Sequence, residues 1–153
     1  GAGPLAVHQT IGGLKESGSD IAQIAEYVER TPGDFTVLAG SATTLFQALC
    51  AGVDGAILAL AAILPDACVQ IVALVRENRI PEARALQREM LPLAKSVGGM
   101  HGVPGLKAAL DLMDFSAGPP RPPLLPVPPQ IGQLLRTQLD GLGVHEKPSE
   151  VRG

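Results

Sequence analysis

A chain of 153 residues is long enough for one domain with a buried core. Hydrophobic residues make up 46% of it, charged residues 18% and aromatics 3%, which excludes wholesale disorder and leaves Ala, Leu, Ile and Val to build the core. The net charge of −3, with Arg76, Arg79, Arg84 and Arg88 set among Glu77, Glu82 and Glu89, excludes a clustered basic surface for nucleic acid and reads as a solvated helix face.

In chain order, Gly1–Pro4 reads as a cut end or added remnant, with no secretory signal. Thr10–Ser17 is a short segment, apolar at its start and polar at its end, as expected of a buried strand that surfaces at its C-terminus. Ser19 or Asp20 caps a helix over 21–30, with Ile21, Ile24, Ala25 and Val28 on its apolar face, and Thr31–Asp34 stops it. Phe35–Ala39 is a second strand, followed by Gly40 and Ser41. A helix then begins near Thr43, burying Leu45, Phe46, Leu49 and Cys50. Gly55–Leu60 reads as a third strand, apolar on both faces. Continuous apolar strands separated by helices signal a parallel sheet covered by helices.

Residues 65–78 follow as a helix opening on Pro65, and Asn78–Pro81 as a tight link. Residues 82–96 form a helix presenting Ala83, Leu86, Met90 and Leu93. Two helices in a row imply that the sheet has ended. Val97–Gly102 is a connection to a helix over 103–113. Gly118–Pro129 holds seven prolines, which excludes helix and central strand. It reads as a polyproline-type strap over the domain, or as a ligand for an SH3-like partner. Gln130–Leu142 is a last amphipathic helix showing Ile131, Leu134, Leu135 and Leu139, and the chain ends in a tail. The expected organisation is 1–64 for strands and their helices, 65–142 for the helical region with the strap at 118–129, and 143–153 for the flexible tail.

Cys50 and Cys68, in apolar contexts without a CxxC pattern, read as buried free thiols of a reducing compartment. His8, His101 and His145 have no metal-ligand spacing. The longest apolar run, Ala56–Leu64, is about half of what a membrane span needs. Gly12, Gly13 and Gly18 do not form a dinucleotide fingerprint.

In α/β sheets the active groups gather at the C-terminal ends of strands. Lys15 sits at such an end. Walled by apolar groups it is poised to attack a ketone as a neutral amine; alternatively it reaches to solvent. Glu16 points away from it by alternation, and Ser17 returns to its side, as a binding hydroxyl or a turn residue. Backbone N–H groups over Ala39–Ala42 offer a weak anion site. Three strands leave edges unpaired, so further strands are expected to complete the sheet.

Ile11–Asp20 resembles the Schiff-base strand of the dihydrodipicolinate synthase and N-acetylneuraminate lyase family of class I pyruvate-dependent aldolases. Val37–Ser41 is similar to its seventh strand and Gly55–Ala59 to its eighth. Ala83–Leu93, Gly102–Leu110 and Arg121–Leu124 resemble its C-terminal region. The resemblance runs from about Leu5 to Leu142. It implies an α/β fold, the C-terminal half of a (β/α)8 barrel (strands six to eight) with a C-terminal helical extension. It further implies Lys15 as the imine-forming lysine, a pocket lined by Ser17, Gly40, Ser41 and Ile57, pyruvate as the 2-oxo acid, and no metal or organic cofactor.

Gly40-Ser41 and Val103–Lys107 resemble the branch that cleaves 4-hydroxy-2-oxoglutarate or 2-keto-3-deoxy-sugar acids; a dihydrodipicolinate synthase-type condensation is the alternative. The family's carboxylate-binding loop and proton-relaying tyrosine fall in segments this sequence does not contain. Tyr27 is no substitute, and Ala62 stands where relatives often carry Asn. The chain is therefore read as active only with an N-terminal half, or as an inactive interaction or structural module. Expected partners are a dimeric or tetrameric homo-oligomer, or that N-terminal half, with no nucleic acid or membrane. The expected location is the cytoplasm, or the mitochondrial matrix.

Overall fold

The computed structural model describes His8 and residues 10–144. The expectations for residues 1–4, His145 and the tail beyond Val144 lie outside the described residues. The chain divides between Arg88 and Glu89 into two compact units. This division falls inside a helix.

The first unit begins with β1 (Gly13–Glu16) and α1 (Ile21–Arg30). The helix bounds match the sequence reading because both ends are chemically marked. The Asp20 side chain accepts from the Gln23 N–H at 3.1 Å, and the Thr31 hydroxyl and N–H both turn back to the Tyr27 carbonyl. Then come β2 (Thr36–Ala39), a 3-10 turn (Ala42–Thr44) and α2 (Leu45–Cys50). The buried residues of α2 are Leu45, Ala48 and Leu49. Phe46 is only partly buried and Cys50 is exposed, so the apolar face is rotated from the expected one and Cys50 is not a buried thiol.

The third strand is shorter than its apolar run. β3 is Gly55–Ala56, and residues 59–62 form a 3-10 turn instead of strand. The Asp54 and Ile57 N–H groups donate to the Val37 and Ala39 carbonyls, both at 2.9 Å. The Asp54 carboxylate also takes the Val37 N–H at 2.8 Å, a bond a backbone carbonyl would otherwise make.

The three strands pair in parallel in the order β1-β2-β3. Register and alternation sort their side chains. Leu14 opposite Val37, and Glu16 opposite Ala39 and Ala56, face the helices. Val37 and Ala39 lie in a core with Ile24, Phe35, Leu45, Leu49 and Ile71. Lys15, Leu38 and Gly55 share a row on the opposite face. This architecture is the C-terminal half of a (β/α)8 barrel.

α3 (Pro65–Arg76) carries Pro65 at its first turn, where a missing N–H is tolerated. The Arg76 guanidinium donates to the Asp54 carbonyl at 2.7 Å, so this base ties α3 to β3 rather than only facing solvent. Arg79 pairs with Glu77 and Glu82 on the surface, as expected of a solvated face. Cys68 is buried, and burial pushes its thiol up to about 11.

α4 (Ile80–Lys95) starts earlier than expected and contains Pro92, whose ring lacks the N–H that would bond the Arg88 carbonyl. Its buried stripe is Ala83, Gln87, Met90, Leu93 and Ala94, with Leu86 only partly buried.

In the second unit the glycine-rich segment read as a connection is a π turn (Ser96–Met100). It packs with α5 (Gly102–Asp111), which also packs with α6 (Pro129–Gly141). Leu135 and Leu139 of α6 are buried, whereas Leu134 is 41% exposed. The segment between these helices has no regular structure. It is held at its start, where the Ala117 N–H donates to Asp111 and Lys107 Nζ donates to the Ala117 carbonyl, and Pro120 is buried. Residues 121–126 are exposed, so the strap is anchored at its base rather than laid down along its length. Gly143, at φ 68°, and Val144 close α6 with N–H bonds to the Asp140 and Leu139 carbonyls. Among the described residues no helix is long and apolar enough to cross a membrane.

Candidate functional site

β1 delivers Lys15 and, one residue past its end, Ser17 to the same face of the sheet. The loop after β2 delivers Gly40 beside them. A methyl group built on Gly40 would stand 2.7 Å from Lys15 Cε and 2.5 Å from Ser17 Oγ. It would also stand 2.9 Å from Ser17 Cα. Heavy atoms do not approach so closely, so the missing side chain at Gly40 is what lets the lysine stem and the serine hydroxyl converge. The close approach is fixed by the backbone: the Gly40 N–H donates to the Glu16 carbonyl at 2.6 Å.

Ile57 lies just past β3 and, by alternation, on the same face; it is 53% exposed. Ser41 is half-buried, its hydroxyl 2.8 Å from that of Thr43. Lys15 and Ser17 are exposed, not walled in by apolar groups. The anion site sketched over Ala39–Ala42 loses its first donor, because the Gly40 N–H is already taken by Glu16. Tyr27 is half-buried against the core and offers no hydroxyl to this face.

Two residues with a part in this geometry were not singled out by sequence. Leu38 stands beside Lys15 in the sheet and supplies the apolar neighbour on that face. Gln87 is 5% exposed; its Oε1 accepts from the Phe46 N–H at 2.9 Å and its Nε2 donates to the Ala42 carbonyl at 3.0 Å. It thereby braces the turn that follows Gly40 and Ser41. The one signal was a polar residue on an otherwise apolar helix stripe. Gln87→Leu keeps the volume but leaves a donor and an acceptor unpaired. It is expected to cost about 2–4 kcal/mol, read as a lower urea midpoint with unchanged slope.

A groove of about 550 Å³ lies elsewhere, between β3 and α3, lined by Ala56, Leu58, Cys68, Val69 and Val72 among others. Neither Lys15 nor Ser17 lines it.

Comparison with known proteins bears on this arrangement. Residues 2–141 match the Dihydrodipicolinate synthetase family. The 4-hydroxy-tetrahydrodipicolinate synthase of Methanopyrus kandleri is 31% identical over 132 residues, covering 86% of this chain and 44% of that protein. The crystal structure of dihydrodipicolinate synthase from Thermotoga maritima superimposes with a TM-score of 0.87 at 32% identity, over 94% of this chain and 50% of that one. A monomeric dihydrodipicolinate synthase variant gives 0.87 at 30% identity, over 94% and 49%. The chain thus spans about half the length of the relatives it matches.

Proposed function

We propose, because this chain belongs to the dihydrodipicolinate synthetase family, that it carries the imine-forming part of a pyruvate-dependent carbon–carbon bond-forming site. Lys15 is the nucleophile. Ser17 and Ser41 receive the pyruvate carboxylate, Gly40 leaves the space for it, and Ile57 is an apolar wall. The observation that carries this reading is the convergence of Lys15 and Ser17 over the bare backbone of Gly40.

The chemistry follows from an amine at that position. Once its proton has passed to solvent, Lys15 Nζ adds to C2 of pyruvate, and loss of water leaves a protonated imine. The imine withdraws electrons from C3, which gives up a proton and becomes an enamine. The enamine carbon attacks an aldehyde, forming the new C–C bond. Water then hydrolyses the imine and frees Lys15. Cleavage of a 4-hydroxy-2-oxo acid is the reverse of the same bond-forming step. The synthase names of the relatives favour condensation as the physiological direction over the cleavage branch. Protons for these steps come from groups outside the described face, since Tyr27 is turned to the core. Among the described residues no strand pairs with the outer edge of β1 or β3, which is consistent with closure by the remaining strands of a full barrel, or with self-association.

The test is to incubate the chain with pyruvate in heavy water and follow the pyruvate methyl signal by NMR. Enamine formation exchanges those protons, so the signal should fall faster than with pyruvate alone. A rate equal to the uncatalysed one, with the chain folded, would overturn the proposal.

A further inference from the structure

We infer that Glu16 is a positioning residue for the imine-forming site, acting through the backbone on both sides of Lys15; this rests on the function proposed above. Glu16 faces the helix-covered side of the sheet, in register with buried Ala39, where an apolar residue would be the simple choice. Its two acceptors are used instead on the two segments that frame Lys15. The side-chain Oε1 accepts from the Gly18 N–H at 2.6 Å, curling the chain at Ser17 back onto the strand end. The main-chain carbonyl accepts from the Gly40 N–H, also at 2.6 Å. One residue therefore fixes Ser17 from behind and Gly40 from the side, and Ser17 and Gly40 are the groups that meet around the Lys15 stem. Gly18 is part of the device, since a methyl group there would stand 2.8 Å from the Glu16 carboxylate oxygen. A charged acceptor on a backbone N–H is the stronger kind of hydrogen bond, suited to holding an exposed loop.

The expectation is specific to positioning. Glu16→Ala releases the loop and lets Ser17 leave the carboxylate subsite. The pyruvate concentration for half-maximal methyl exchange should rise about tenfold, with a smaller change in the limiting rate, the pattern of lost substrate binding. Glu16→Gln keeps an acceptor oxygen and should stay within about threefold of the parent. Gly18→Ala approaches the same contact from the other side: it pushes the carboxylate off the amide without touching the strand, and should reproduce the Glu16→Ala effect. Hydrogen exchange at the Gly18 amide reads the contact without any chemistry. It should quicken at least about tenfold in Glu16→Ala and stay slow in Glu16→Gln. Unchanged Gly18 exchange in Glu16→Ala would overturn the inference whether or not pyruvate reacts. So would quickened exchange with an unchanged pyruvate requirement. A parent chain that exchanges no pyruvate protons would sink the functional reading instead, and would leave no reaction for Glu16 to position. Should Glu16→Ala fail to fold, Glu16→Gln and Gly18→Ala decide the matter with the same two measurements.

Discussion

Lys15→Ala is expected to abolish the exchange of pyruvate methyl protons, lowering it by roughly a thousandfold or more, equivalent to about 4 kcal/mol of transition-state stabilisation. The size of the effect follows from the chemistry: without an amine there is no imine, and without an imine C3 has no electron sink. Lys15→Arg should fail equally, because a guanidinium stays protonated and cannot add to a ketone. Neither change should unfold the chain, since Lys15 is exposed on a face that carries none of the core. Unfolding midpoints within about 0.5 kcal/mol of the parent would show that the loss is chemical. Retained exchange in Lys15→Ala would move the reaction to another residue.

Gly40→Ala is expected to cut exchange by about a hundredfold while leaving the amine itself intact. The added methyl would lie 2.7 Å from Lys15 Cε and 2.9 Å from Ser17 Cα. The lysine stem can swing aside; the serine backbone cannot, because β1 is held by its pairing with β2 and by the Glu16 carbonyl. One strand end must shift, at about 1–3 kcal/mol by the usual cost of overpacking. Both the rate and the urea midpoint should therefore fall together, unlike the Lys15 variants. Parent-like exchange in Gly40→Ala would mean that the convergence of Lys15 and Ser17 is irrelevant to the reaction.

These two variants also show where sequence is informative. Lys15 and Ser17 on one face with Glu16 opposite is readable from strand alternation alone. The part played by Gly40 is not, because it depends on the register that sets the end of β2 against the end of β1. Gln87 is hidden for the same reason: its partners, Phe46 and Ala42, lie 41 and 45 residues away in sequence. The contact between Glu16 and Gly18 is local in sequence, yet a strand-end carboxylate facing the helices has many conformations open to it, and only the folded chain selects one.

The fold shows a similar division. α1 could be bounded to the residue because Asp20 and Thr31 mark its ends by side-chain hydrogen bonds. The parallel sheet was legible from its unbroken apolar strands. The extent of β3 was not, since an apolar run of that length serves equally as strand or as buried 3-10 turn, and here the chain turns into a 3-10 helix at Ala59. Glycines at 98 and 99 suggested a loop, but the helical path continues through them as a π turn. Pro92 marked no boundary, because the rest of α4 carries the helix past it.

The central claim is that Lys15 forms an imine with pyruvate. Its most direct test is the intact mass of the folded chain after incubation with pyruvate and borohydride, followed by peptide mapping. A single reduced pyruvate adduct on the peptide containing Lys15 is the predicted result. A folded chain without an adduct, or one modified instead at Lys95 or Lys107, would contradict it.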